Sequence, residues 1–134
     1  MAARDEAIES IQRAPYALML GLRVQSAASG VAVARMPFRP ALLNDGGPDA
    51  PIHGGAIASL ADFAACAAVW SIDATKRSAT VSMTLNYSGM AVRSDLVARA
   101  TVRRHGRRIA SLTVEVRDNS DVLIADALVT YKIA

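Results

Sequence analysis

The sequence is poor in cysteine, aromatic residues and long hydrophobic runs, and each scarcity excludes a class of protein. Cys66 is the only cysteine, so no disulfide can form within the chain, as fits a reducing cytoplasm. Aromatic residues make up 4% of the chain, which leaves few rings on which nucleic acid bases could stack. The most apolar segment is interrupted by Asp62, and the N-terminus carries acids instead of a signal-type apolar run. We therefore expect a cytoplasmic protein that binds neither nucleic acid nor membrane.

The composition is that of a globular protein. The chain has 134 residues, 52% of them hydrophobic and 20% charged, which is enough for one domain with its own core. The net charge of +3 comes mostly from arginine and mildly favours an anionic partner.

Hydrophobic periodicity predicts an α+β fold in which one long helix packs on an antiparallel sheet. The region 1–20 is expected to be helical, with an amphipathic helix over 4–14, and 39–52 is expected to be a long loop. Residues 54–72 have helical spacing. Alternation with a period of two predicts strands on both sides of the turn at 29–30, and again over 80–87, 95–104, 107–117 and 122–132.

Asp62 is the only charged residue between His53 and Asp73. The buried stripe of the long helix is predicted to consist of Ile57, Leu60, Ala61, Ala64, Ala68 and Ile72. Asp62 falls on a second face that is also nearly apolar. An unpaired carboxylate is costly to bury, so Asp62 is either a functional group or a paired structural acid of the core.

Two motifs carry a family resemblance. They are His53-Gly54-Gly55 and Leu60-Ala61-Asp62, and residues 16–21 and 80–83 support them. Over about residues 15–132 the chain resembles the hotdog-fold thioesterases, the group that includes phenylacetyl-CoA and 4-hydroxybenzoyl-CoA thioesterases. The resemblance implies an antiparallel sheet wrapped around a central helix, a homodimer or homotetramer, and hydrolysis of an aryl- or fatty-acyl-CoA without a metal or redox cofactor.

The resemblance also implies roles for five residues. Asp62 would attack the thioester carbonyl or activate a water, and the Gly54 N–H would stabilise the oxyanion. Gly55 would let the substrate approach, and the Thr80 hydroxyl would hold the nucleophile or water. His53 would orient the loop or contact the thioester region without being the primary base. The alternatives are that the glycines only start a helix, that His53 is structural and that Thr80 is an ordinary exposed residue.

The spacing of Gly54 and Asp62 predicts that the site is shared between two chains. Eight residues of helix separate them by roughly 12 Å, whereas both groups must lie about 3 Å from the same reacting group. Two antiparallel helices related by a two-fold axis could bring Gly54 of one chain to Asp62 of the other.

Asn44 departs from the family pattern. Members commonly carry an Asn six residues before the His, where this chain has Gly47, and Asn44 lies nine residues before His53. The longer loop could fold Asn44 back into the site, or Asn44 could be a plain turn residue.

Several other residues are candidates for substrate contact. Arginines that could bind the phosphates of CoA flank the turn at 105–106, namely Arg103, Arg104, Arg107 and Arg108. The alternative is that these arginines only keep the hairpin tip solvated. Lys76 and Arg77 form a second patch that could likewise bind phosphate or simply be solvated. Cys66 is interpreted as a small core residue. Candidates for the acyl pocket, together with the partner chain, are Tyr16, Leu18, Phe38, Phe63 and Trp70.

Two other functions are compatible with a hotdog fold. A hydratase or dehydratase usually pairs a catalytic His with an acid in a different arrangement. A non-catalytic acyl-CoA-binding module would be expected to have a degraded site, whereas Gly54 and Asp62 are both present.

Overall fold

The computed structural model describes residues 3–74 and 77–134. Its elements in chain order are α1 (Ala3–Gln12), α2 (Pro15–Leu20), β1 (Arg23–Ala28), β2 (Val31–Met36), a 3-10 turn (Pro40–Leu42), α3 (Gly54–Trp70), β3 (Ala79–Tyr87), β4 (Leu96–His105), β5 (Ile109–Arg117) and β6 (Leu123–Lys132). This confirms the predicted α+β class. Each predicted strand is present, with ends that differ by a few residues.

The strands form a single antiparallel sheet in the order β1-β2-β4-β5-β6-β3. Strands β1 and β3 are therefore its edges. Helix α3 connects β2 to β3, which lie at different places in the sheet. The last three strands, β4 to β6, fill the space between β2 and β3.

Helix α3 packs across β2, β4 and β5 in the middle of the sheet. The predicted stripe is buried from Ile57 to Ala68, and Ala65 and Ala67 are buried with it. Small side chains let the helix lie close to the alanine-rich strands beneath it. The prediction for Ile72 was wrong, because α3 ends at Trp70 and the Ile72 side chain is 45% exposed. No helix in the described part of the chain is long and apolar enough to cross a membrane.

Ser71 anchors the C-terminal end of α3. Its buried hydroxyl accepts the Gly30 N–H at 2.8 Å and donates to the Ala68 carbonyl at 2.7 Å. The turn between β1 and β2 is thereby tied to the end of the helix, which satisfies a buried backbone donor.

A β-bulge changes the face on which the first residues of β3 lie. Thr80 pairs with Tyr131 and Ser82 with Thr130, so Val81 is an extra residue in the ladder. The sequence alternation puts Val81 on the same face as Met83, and this prediction was wrong. Val81 is 59% exposed. The half-buried face of β3 instead carries Thr80 and Met83.

The N-terminal region predicted to be helical over 1–20 consists of two helices, and residues 1–2 of it lie outside the described part. Helix α1 ends at Gln12, and the chain turns before Pro15 starts α2. The Gln12 side chain accepts the Val24 N–H at 2.7 Å, which fixes the turn against β1.

Asp95 connects the start of β4 to the segment after β2. One carboxylate oxygen accepts the Phe38 N–H at 2.7 Å, and the other accepts a hydrogen bond from the Arg35 guanidinium. The Phe38 hydrogen bond and then the Arg35 pair lower the pKa of Asp95 below its usual range.

Replacing Asp95 with Asn should lower the free energy of unfolding by about 1 kcal/mol at neutral pH, because hydrogen bonds to a charged acceptor are lost. The lowered folded-state pKa means that this stabilisation is fully present above the unfolded-state pKa of about 3.9 and is lost as the pH falls through the folded-state pKa. In urea unfolding, the difference between wild type and Asp95→Asn should be constant above about pH 5 and shrink below about pH 4.

Glu115→Gln is the control, since Glu115 is a more exposed acid paired with Arg117. Glu115→Gln should lower the free energy of unfolding at neutral pH by less than Asp95→Asn does. A deficit in Asp95→Asn that stays the same down to strongly acidic pH would contradict this account.

Candidate active site

Asp62 lies in a mainly apolar groove of about 350 Å³ between α3, the N-terminal helices and strands β3 and β6; we call it the Asp62 groove. The apolar side chains along it are Ile11, Ala14, Ala17, Leu22 and Phe63. The Asp62 side chain is half-buried. The second face of α3 is thus nearly apolar, as predicted, but is open to solvent in a single chain.

The Thr80 hydroxyl donates a hydrogen bond of 2.5 Å to Oδ1 of Asp62. The bulge at Val81 makes this contact possible, because it turns Thr80 toward α3. Thr80 is therefore not an ordinary exposed residue of its strand. Its hydroxyl fixes the orientation of the Asp62 carboxylate, whose side chain lines the groove.

His53 caps the N-terminus of α3. Its Nδ1 accepts the Gly55 N–H at 2.8 Å, and its carbonyl accepts from Ala56 and Ile57. Accepting through Nδ1 leaves the proton of the neutral ring on Nε2. A Cβ at position 55 would lie 2.9 Å from Nδ1 of His53, so a larger residue there would displace the capping ring.

Gly54 is the first residue of α3, and its N–H is a free donor at the positive end of the helix. Within residues 3–74 and 77–134, no acceptor for it is found. The carbonyl of Gly54 accepts the Tyr87 hydroxyl at 2.7 Å, and the Tyr87 ring lies over Gly54, 3.2 Å from where a Cβ would be. Tyr87 thus holds the first turn of the helix from the end of β3.

Cys66 lies one turn beyond Asp62 on the same side of α3 and lines the Asp62 groove. Burial raises the pKa of its thiol to about 11, with a smaller contribution from the charge of Asp62, although a hydrogen bond from Tyr131 opposes the rise. The thiol is therefore protonated at neutral pH. Cys66 packs against the core, as predicted, and its half-buried side chain also lines the groove.

Asn44 lies at the base of an excursion of the loop before α3. The His53 N–H bonds to the Leu42 carbonyl, and the Asn44 N–H bonds to the Pro51 carbonyl. The additional residues are therefore accommodated within 45–50. Asn44 is exposed, and in the described part of the chain its side chain has no hydrogen-bond partner. Its role stays a prediction.

The four candidate arginines are all exposed near the β4–β5 hairpin tip. Arg103 is the extra residue of a bulge, and its Nε donates to the Thr113 hydroxyl at 3.1 Å. The other three, Arg104, Arg107 and Arg108, line a shallow concave surface at the tip. This tip lies at the C-terminal end of α3, since Val102 bonds to Gly30 and Gly30 to Ser71. Of the second patch, Arg77 is exposed and Lys76 lies outside the described residues.

Of the five residues proposed from sequence for an acyl pocket, Tyr16 and Phe63 line the Asp62 groove and the other three, Leu18, Phe38 and Trp70, do not. Sequence reasoning gave no role to Tyr87, Ser59 or Tyr131. Their contacts with Gly54, Tyr16 and Cys66 span 33 to 65 residues of chain. Helical spacing alone could have indicated Ser59, which lies one turn before Asp62.

Gly54 and Asp62 lie on one uninterrupted helix, so roughly 12 Å of helix axis separates them. One chain therefore holds the two candidate groups in separate places. One is the N–H of Gly54 at the helix N-terminus, and the other is the carboxylate of Asp62 in an apolar groove.

Comparisons with known proteins identify the family. A model of the thioesterase superfamily matches residues 51–125, which include Gly54 and Asp62. A protein of Halobacterium salinarum, named as a provisional esterase, is 32% identical over 110 residues, covering 80% of this chain and 72% of that protein.

Two solved structures show the same fold. A variant of the phenylacetic acid degradation protein PaaI from Thermus thermophilus is 28% identical with a TM-score of 0.80, over 90% of this chain and 100% of that one. A hypothetical thioesterase from Streptococcus pneumoniae, solved with coenzyme A, is 18% identical with a TM-score of 0.75, over 84% and 85% of the two chains. The fold is the hotdog fold, and the chain belongs to the thioesterase superfamily.

Proposed function

We propose that the protein is an acyl-CoA thioesterase that hydrolyses a thioester to a carboxylic acid and CoA. The observation that carries this proposal is Asp62, a carboxylate oriented by the Thr80 hydroxyl inside an apolar groove. Such a groove suits the acyl part of the substrate. An acyl chain bound in it would bring the thioester carbon close to the Asp62 carboxylate, which lines the same groove.

Hydrolysis forms a bond between the carbonyl carbon and an oxygen and breaks the bond between that carbon and sulfur. As a general base, Asp62 takes a proton from water and returns it to the leaving thiolate. As a nucleophile, Asp62 forms an anhydride with the acyl group, which water then hydrolyses. Both routes use the same oriented carboxylate, and the expectation that neither needs a cofactor stays a prediction.

The oxyanion that develops in either route needs a hydrogen-bond donor. The free Gly54 N–H at the helix N-terminus is suited to this role, because it points out of the helix and carries the positive end of the helix dipole. The contact with Tyr87 limits movement of this turn, so the donor is held in place before substrate binds.

A complete site requires a second copy of the chain, because Gly54 and Asp62 of one helix are too far apart to meet at one carbonyl. We propose a homodimer in which Gly54 of the partner subunit faces Asp62. Two features support it: strand β3 is an edge of the sheet, and the open face of α3 carries the half-buried side chains of Phe63 and Trp70. A homotetramer would require a second, different contact between two such dimers.

Binding of the CoA moiety is supported more weakly. The Streptococcus pneumoniae protein of the same fold was solved with coenzyme A. In this chain, exposed arginines at the β4–β5 tip could contact its phosphates, since guanidinium groups bind phosphate in a bidentate manner.

Replacing Asp62 with Asn should lower kcat for acyl-CoA hydrolysis by at least about 100-fold, because the carboxamide is neither a base nor a nucleophile. Free CoA release from a panel of aryl- and fatty-acyl-CoAs measures this. Thr80→Val should cause a smaller loss, since the carboxylate remains without its hydroxyl partner, and Thr80→Ser should restore most of the activity.

Asp73→Asn is the matched control, because Asp73 is an exposed acid just beyond the end of α3. Its activity should equal that of the wild type. Full activity in Asp62→Asn would refute the mechanism. Tight acyl-CoA binding without turnover by the wild type would instead favour an acyl-CoA-binding module.

Replacing Gly54 with Pro tests the proposed oxyanion donor directly, because it removes the N–H. Proline is tolerated at the first position of a helix, and the ψ of 133° at His53 is compatible with a following proline. We expect kcat to fall by about 100-fold or more. Gly54→Ala retains the N–H and adds the same Cβ against Tyr87, so it isolates the steric effect. Equal losses in the two variants would contradict the role of the N–H.

A further inference from the structure

One face of α3 carries four residues that line grooves: Gly55, Ser59, Asp62 and Cys66. They are spaced by four, three and four residues, so they form a single row along the helix. The Asp62 groove covers the part of this row from Ser59 to Cys66. A second groove, of about 280 Å³, lies at Gly55 near the helix N-terminus, and we call it the N-terminal groove.

Tyr16 lies between the two grooves along this row. Among the residues that the structure describes, it is the one side chain that lines both grooves. Its hydroxyl is 2.9 Å from the Ser59 hydroxyl, which in turn donates to the Gly55 carbonyl at 2.9 Å. The ring is therefore fixed across the row at Ser59, one helical turn before Asp62.

Helix α2 holds Tyr16 in this position from outside. Pro15 starts the helix, and Gly21 ends it in the left-handed conformation. The Leu22 N–H then bonds to the Ala17 carbonyl, and the Arg39 guanidinium donates to the Met19 carbonyl. These contacts anchor the backbone of α2, and the hydrogen bond to Ser59 places the exposed Tyr16 ring across the row.

The N-terminal groove could accept more of an alkyl chain. Leu42, Leu43 and Ala56 contribute apolar surface to it. A chain that extends from the Asp62 groove along α3 reaches this surface only by passing the Tyr16 ring.

The geometry points to Tyr16 as the residue that determines acyl-chain length, by closing the Asp62 groove against the N-terminal groove. This inference rests on the proposed function for the identity of the ligand. Short and compact acyl groups fill the Asp62 groove, and longer alkyl chains are excluded by the ring. Removing the ring joins the two grooves along the row of α3.

The test is the affinity for non-hydrolysable thioethers of CoA with S-alkyl chains of increasing length, measured by calorimetry. In the wild type, affinity should rise with chain length and then level off. In Tyr16→Ala it should continue to rise, by about fourfold for each further methylene buried. Turnover of the corresponding acyl-CoAs should shift toward longer chains in the same variant.

Leu18→Ala is the matched control, because Leu18 and Tyr16 are both 57% exposed on α2 and Leu18 lines neither groove. It should keep the wild-type dependence on chain length. Tyr16→Phe retains the ring but loses the hydrogen bond to Ser59, so it should change the dependence on chain length much less than Tyr16→Ala does. Thermal unfolding of each variant verifies that it is folded.

The same dependence on chain length in Tyr16→Ala and wild type would overturn the inference, and so would an equal change in Leu18→Ala or Tyr16→Phe. A wild type that binds none of the thioethers would overturn it too. A different result tests the proposed function. If the wild type binds the thioethers with the expected dependence on chain length but hydrolyses no acyl-CoA, the role of Tyr16 stands and the proposed thioesterase activity is refuted.

Discussion

The packing of α3 on the middle of the sheet is the contact on which the other features depend. Alanines on the buried side of the helix, such as Ala61 and Ala64, let it lie close to β2, β4 and β5 along its length. A helix held in this way stays continuous, and its fixed rise separates Gly54 from Asp62 by roughly 12 Å. The same packing leaves the opposite side of α3 free to carry polar groups.

Each half of the candidate site is stabilised by a residue of β3. Thr80 at the start of the strand orients Asp62, and Tyr87 at its end holds Gly54. A single edge strand thus connects the carboxylate and the helix N-terminus, and in the proposed dimer the same strand lies near the partner subunit. A change in the position of β3 would affect both halves together, which links the integrity of the interface to the geometry of the chemistry.

Much of the fold was predictable from the sequence, because periodicity reports which residues face a core. The buried stripe from Ile57 to Ala68 follows from helical spacing alone. Periodicity could not predict the face of Thr80, since the sequence alternates regularly through Val81 and carries no sign of the bulge; only the family resemblance pointed to a contact between its hydroxyl and Asp62. The contacts of Tyr16 and Tyr87 with α3 join residues far apart in the chain, and spacing within one element does not encode such contacts.

The central claim is that each site combines Gly54 of one chain with Asp62 of another, and mixed dimers test it most directly. A dimer of one Asp62→Ala chain and one Gly54→Pro chain, isolated through two different tags, contains one intact shared site. We predict about half the wild-type activity for it, although both parent homodimers are inactive. A wild-type chain paired with a chain carrying both substitutions should be inactive. An inactive first dimer together with a half-active second dimer would contradict the account, because these results would place the complete site within one chain.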